Sequence, residues 1–238
     1  MLLEGKRVVI LGGTSGIGLA AAKAFVDESA QVIIASRSTK KLTEAKAEIG
    51  ANVVGYEIDF RSEEGAADFF NKVGEFDHLV VTAGEGAMGH FSELPVATVK
   101  EAFDSKFWGQ YITVKSALPY LNNKSSITLT SGVYGLRPPQ GASTLAAINS
   151  AVEGLVRGLS VDLAPIRVNV VSPGIVDTPL YAGMPPEQRN GMYNSIAQQL
   201  PVGRVAQPED IAATYVYLAK NGFTTGTSVL IDGGAHLI

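Results

Sequence analysis

Three glycines, Gly12, Gly16 and Gly18, punctuate the stretch VVILGGTSGIGLAAAKAF, which opens as a β-branched run and continues with helical spacing. A strand, a tight turn and a helix in immediate succession suit a dinucleotide pyrophosphate. Gly12 permits the turn, Gly16 lets backbone approach a ligand, Gly18 allows close packing of the helix, and free N–H groups at the helix start face the phosphates. Thr14, Ser15 and Ile17 complete the same turn. A second stretch raises the opposite question. GASTLAAINSAVEGL, residues 141–155, reads as the start of a helix, yet before Glu153 it holds no side chain that exchanges a proton near neutral pH. Thiolate and metal chemistry are not expected: the chain has no cysteine, and His78, His90 and His236 lie far apart without ligand-like spacing.

These residues need a scaffold, and 238 residues with 46% in the hydrophobic class are enough for a substantial core. One domain spanning 1–238 is the natural reading. A net charge of −4 with basic residues scattered along the chain argues against nucleic acid or an anionic membrane as partner. The first ten residues carry Glu4, Lys6 and Arg7 and so do not resemble an export signal, and no uncharged apolar run is long enough to span a bilayer. A soluble, cytoplasmic protein is expected.

Short apolar runs at 7–11, 32–35, 53–58, 78–82, 126–130, 167–171 and 228–231 read as strands that are apolar on both faces, as in a sheet covered by helices on each side. Helical spacing occupies 16–28, 39–49, 63–73, 96–121, 142–163 and 208–220. That alternation predicts an α/β fold with a parallel, doubly wound sheet. The long irregular segment, 173–200, contains AGMPPEQRNG and is expected to form a loop or small helical excursion over the site.

Several motifs in order now resemble the classical short-chain dehydrogenase/reductase family over essentially the whole chain. Leu11 to Gly18 resembles its TGxxxGIG turn, with Leu in place of the first Thr. Asp59 and Phe60 match the pair that holds the adenine, and Thr82, Ala83 and Gly84 match the end of its Asn-Asn-Ala-Gly motif. VNVVSPGIVDTPL resembles the segment whose Pro173, Gly174, Val176 and Thr178 would line the nicotinamide, while GRVAQPEDIAATYVYLA and GTSVLIDGG resemble the last helix and strand. The resemblance implies a Rossmann-type, seven-stranded parallel sheet of order 3-2-1-4-5-6-7. It also implies a homodimer or homotetramer paired through 96–121, 142–163 and the C-terminal helix and strand. After the second strand, ASRSTKK offers Ser36 and Arg37 where a carboxylate would repel a 2′-phosphate, so NADP(H) is expected over NAD(H). Arg37 has an alternative use in stacking on the adenine or capping the next helix.

The family's catalytic set is Asn, Ser, Tyr and Lys. By resemblance the serine is Ser131; thirteen residues on, the Tyr position is Thr144, the Lys position is Ile148, and the Asn position is Lys106. Tyr-x-x-x-Lys does occur at Tyr111 with Lys115 and at Tyr120 with Lys124, but both precede Ser131 and belong to the previous helix. An aliphatic hydroxyl such as Thr144 is no substitute for a phenol. Leu145, Ile148, Val152, Leu155, Val156, Leu159 and Leu163 instead recur at helical spacing and make this helix a packing element. Tyr134, in the loop leaving the fifth strand, is the candidate proton donor, with Ser131 as carbonyl anchor and Lys106 as electrostatic helper. The alternative leaves Tyr134 a loop aromatic and Lys106 a solvated charge. Two functional readings remain: an NADP(H)-dependent oxidoreductase acting on a small carbonyl or alcohol with an altered site, or a cofactor-binding protein without catalysis that serves as sensor, partner or scaffold.

Overall fold

Along β1 (Arg7–Leu11), Val8 and Ile10 point to one face of the sheet and Val9 and Leu11 to the other, and all four are excluded from solvent. The same period-two division recurs in β2 (Gln31–Ser36), where Val32 and Ile34 oppose Ile33 and Ala35. The strands pair in parallel: β3 (Val53–Glu57), β2, β1, β4 (His78–Val81), β5 (Ser126–Thr130), β6 (Arg167–Pro173) and β7 (Ser228–Ile231) lie side by side in that order, with the inner strands buried on both faces and the edge strands β3 and β7 only partly buried. The expected order 3-2-1-4-5-6-7 is thus the observed one. The computed structural model describes residues 3–50 and 53–238; Met1 and Leu2, at the start of the segment read for an export signal, lie outside them.

One face is covered by α1 (Gly16–Asp27) and α8 (Pro208–Lys220), which bring Phe25, Ile211, Tyr215 and Leu218 onto Val8, Ile10 and Val32. The other is covered by α3 (Glu63–Val73), α5 (Gly109–Ala117) and α6 (Ser143–Asp162), with Phe69, Phe70, Val114, Val152 and Val156 against Val9, Leu79 and Ile127. α2 (Thr39–Ile49) packs beside α1 and β3. Among the described residues no helix is long and apolar enough to cross a membrane.

One segment departs from the pattern reading. The helix expected over 96–121 is broken into α4 (Val96–Phe103), a π-helical turn at Asp104–Trp108, α5, and a 3-10 turn at Leu118–Tyr120 that carries Pro119. In the π turn the Gly109 N–H reaches back to the Asp104 carbonyl, five residues away, and the widened turn re-aims the side chains inside it. Hydrophobic spacing is too coarse to register one extra residue per turn. The segment 173–200 contains α7 (Pro186–Gln199), opened by Pro186 at its first position, with Tyr193 as its buried residue. A helix with so little apolar surface leaves no periodic signature.

Candidate cofactor and active site

Ser38 and Ser62 cap α2 and α3, each accepting a hydrogen bond from a backbone N–H of the first turn, at Lys41 and Gly65. Ser15, in the same place before α1, makes no such bond. The first turn of α1 therefore keeps its N–H groups for a ligand. The glycines around it are needed where they stand. Gly12 and Gly16 have φ of +86° and +49°. A Cβ on Gly12 would stand 2.7 Å from Thr82 Oγ1, and one on Gly18 would stand 2.2 Å from the Gly12 carbonyl oxygen.

A cavity of about 380 Å³ opens over this turn at the C-terminal ends of β1, β2 and β4. Gly12, Thr14, Ser15, Gly16, Ile17, Gly18, Ser36, Arg37, Phe60, Ala83, Gly84 and Thr178 all lie on its wall. Lys41, which was given no role from sequence, adds a second cation beside Arg37. Arg37 is held across the groove by Glu85, with Nη2 donating to Oε1 at 2.9 Å and both side chains substantially exposed. Asp59 stands apart from the other expected cofactor residues. It is held by Arg61 through two side-chain hydrogen bonds of 3.0 Å and lines the neighbouring hollow rather than this groove. That hydrogen bonding lowers the Asp59 pKa.

The groove continues past Ile17, Thr82, Ala83, Gly84 and Thr178 into a second cavity of about 380 Å³. Pro173, Gly174 and Val176 line this part, together with Ser131, Tyr134 and Lys106. The three candidates for chemistry are therefore brought around one space. Lys106 sits in the π turn, with its stem against Gly84, where any Cβ would meet it at 3.0–3.2 Å. Its Nζ donates to the Ser131 carbonyl at 2.9 Å and to Asn149 Oδ1 at 2.7 Å. Burial lowers its pKa from 10.5 to about 8; Lys106 is not a solvated surface charge. Gln110 fixes the arrangement: its Nε2 donates to the carbonyls of Lys106 and Thr130, and its Oε1 accepts from the Thr130 N–H. Tyr134 follows in a 3-10 turn, Val133–Gly135. Burial raises its pKa, with no cation offsetting the effect.

The α6 positions that face this cavity are Leu145 and Asn149. Thr144 and Ile148, reached by counting thirteen residues from Ser131, are buried away from it, Ile148 completely. The count assumes a fixed loop length, whereas here the loop holds a 3-10 turn, two prolines and Gly141 at φ +81° before α6 begins. Neither register brings a tyrosine or lysine to the cavity from α6. Tyr111 and Tyr120 do not line it either. Asn149 was missed from sequence: its Nδ2 donates to the Gly132 carbonyl at 3.1 Å, which turns its Oδ1 toward Lys106. A polar residue four positions after Leu145 in an otherwise apolar stripe was the available signal.

A family model described as enoyl-(acyl carrier protein) reductase matches residues 12–236. A short-chain dehydrogenase/reductase of Stachybotrys chlorohalonatus is 34% identical over 250 residues, covering 99% of this chain and 98% of its own length. Among solved structures, a small-chain dehydrogenase in complex with NADPH superposes with a TM-score of 0.88 at 38% identity, covering 99% of this chain and all of that one. The MalC reductase/Diels-Alderase of Malbranchea aurantiaca gives 0.92 at 30% identity, covering 100% of this chain and 98% of that one.

Proposed function

The chain belongs to the short-chain dehydrogenase/reductase family, and from that premise we propose that it is an NADP(H)-dependent oxidoreductase acting on a small carbonyl or alcohol, with an altered catalytic site. The observation that carries this reading is the unbroken groove from the glycine turn to the space enclosed by Ser131, Tyr134 and Lys106. When bound, the dinucleotide supplies or accepts the hydride. Its pyrophosphate fits the uncapped start of α1. Pro173, Gly174, Val176 and Thr178 flank the nicotinamide end.

Around the substrate oxygen, Tyr134 and Ser131 offer hydroxyls and Lys106 offers a charge. Two of the three ammonium hydrogens are used by Ser131 and Asn149, which leaves one for the substrate oxygen or the ribose. The cation that the family places on the helix after Ser131 is here supplied from the preceding helix, facing an asparagine in the reverse position. Tyr134→Phe is expected to lower kcat about 100-fold, as for loss of one donor to a developing oxyanion. Unchanged turnover would remove Tyr134 from the site.

The test of the whole reading is calorimetric titration with NADPH and NADH, followed by assay against ketones, aldehydes, quinones and alcohols. Binding with turnover is expected. Binding without turnover would favour a sensor or scaffold, and no binding would overturn both. Arg37, Ser36 and Lys41 form the 2′-phosphate end. Arg37→Ala is therefore expected to weaken NADPH about 10- to 100-fold and to leave NADH nearly unchanged, the span of one lost hydrogen bond to a charged group. Equal weakening of both coenzymes would show that Arg37 reads something other than the phosphate.

The same proposal includes a cytoplasmic homodimer or homotetramer. Trp108 and Tyr111 are exposed on the π turn and α5, and Val161 is 76% exposed on α6, so these helices present apolar surface for a second copy. Sedimentation at the monomer mass would contradict it.

A further inference from the structure

Glu153 lies on α6 one turn beyond Asn149, half-buried, and makes no ion pair among the described residues. Its Oε1 accepts hydrogen bonds from Ser131 Oγ at 3.1 Å and from Ser172 Oγ at 2.8 Å. Ser172, completely buried in β6, lies 3.2 Å from Ser228 Oγ, and Ser228 is exposed at the start of β7. Three hydroxyls and one carboxylate thus form a continuous row from the cavity wall to the surface.

Both acceptors within reach of Ser131 Oγ, Glu153 Oε1 and the Asn149 carbonyl at 3.1 Å, belong to α6. Its proton therefore points into the protein and its lone pairs are left for the cavity. A serine hydroxyl has no ionisation near neutral pH and can only pass a proton on; a carboxylate can keep one. Tyr134 is poorly suited to the same task because burial holds its phenol in the protonated form.

Resting on the oxidoreductase reading, we infer that Glu153 is the proton store of the reaction, acting on the substrate through Ser131, with Ser172 and Ser228 as its connection to solvent. In oxidation a bound dinucleotide would take the alcohol C–H electron pair as hydride, and the alcohol O–H proton passes to Ser131 Oγ. Ser131 gives its own proton to the Glu153 carboxylate, and the oxygen pair closes the C=O bond. The stored proton leaves through Ser172 and Ser228. Reduction runs the same steps backwards: hydride adds to the carbonyl carbon, the oxygen takes the Ser131 proton, and Glu153 restores it. Tyr134 remains a hydrogen-bond donor to the oxygen throughout.

Glu153→Gln keeps an acceptor oxygen for both serines and removes the carboxylate that takes up the proton. With a substrate found in the panel, it is expected to lower kcat about 10²- to 10⁴-fold and to erase one limb of the pH profile, which Tyr134→Phe retains. Ser172→Ala, which leaves the carboxylate and cuts the row, is expected to give a smaller loss with a larger solvent isotope effect. A Glu153→Gln enzyme that keeps that limb would overturn the inference and would assign the proton to Lys106 or Tyr134. A second readout needs no turnover. Difference infrared spectroscopy is expected to give a carboxylate stretching band that Glu153→Gln removes and whose frequency moves in Ser131→Ala, which takes away one of its hydrogen bonds. An unmoved band would sink the coupling whatever the coenzyme does, whereas failure to bind NADPH would sink the oxidoreductase reading and with it the role in the reaction.

Discussion

Lys106→Met is expected to lower kcat by about 10²- to 10³-fold, the loss typical of a preorganised group aimed at developing negative charge, and to flatten the pH dependence of stability. The ammonium sits in the π turn with two acceptors, the Ser131 carbonyl and Asn149 Oδ1, and among the described residues no carboxylate is bonded to it. Burial lowers its pKa from 10.5 to about 8. The sign follows from which state binds more protons. Between those two pH values the unfolded chain keeps the proton and the folded chain has released it, so stability rises with pH through that window. Below about pH 8 both states are protonated and the full desolvation penalty applies. At 1.36 kcal/mol per unit, the rise attributable to this group is on the order of 3 kcal/mol. Urea denaturation at about pH 7 and about pH 10 measures it. The wild-type chain should gain more stability between the two than Lys106→Met, and parallel behaviour would show that the ammonium is not desolvated. Activity is expected to fall as pH rises through about 8, because the deprotonated amine no longer carries the charge. The methionine variant should lack that limb.

Gly18→Ala is expected to abolish NADPH binding within measurable range and to lower the melting temperature, although the backbone at Gly18 needs no left-handed conformation. The effect is pure packing. A methyl carbon there would stand 2.2 Å from the Gly12 carbonyl oxygen, 2.5 Å from Thr82 Oγ1 and 2.8 Å from the Gly12 carbonyl carbon, none of which is the end of a flexible side chain. Either α1 moves away from β1 or the turn opens, and both displace the N–H groups proposed to meet the pyrophosphate. Overpacking of this kind costs about 1 to 3 kcal/mol in stability, and the shifted helix start removes the binding geometry as well. Calorimetric titration and a thermal melt of one variant read both effects. Gly50→Ala and Gly74→Ala are useful contrasts, since nothing lies within 4 Å of a Cβ at either; their φ values of +121° and +70° bring backbone strain, without contact with the groove. NADPH affinity within a few-fold of wild type in Gly18→Ala would show that the turn tolerates the displacement.

The glycine turn and the groove over it were readable because their determinants are local. Gly12, Gly16 and Gly18 act within one turn, and β1 and β2 declare themselves by apolar runs that serve both faces of the sheet. The candidate catalytic end depends on which residues meet across separate elements. Lys106 and Asn149 are 43 residues apart and touch only because a π turn rotates one and an irregular loop sets the register of the other. Counting from Ser131 consequently stopped at Thr144 and Ile148, one residue short of the positions on the cavity wall. Glu153 was visible as the first titratable group of its stretch, but nothing in linear order connects it with Ser172 and Ser228 on two later strands. The break at Asp104–Trp108 escaped for a related reason: hydrophobic spacing records burial, and that feature is not defined by burial.

Gln110 ties the backbone of Lys106 to both backbone groups of Thr130, the residue before Ser131. The spacing between cation and hydroxyl is consequently a property of the empty fold, set before any ligand arrives. A substrate that is too long or too short for that fixed gauge has no compliant partner to meet it. Selectivity by shape should therefore come from the apolar part of the same lining, Met88, Leu180 and Tyr181, and diversification of those residues is the route by which one charge geometry would serve different molecules.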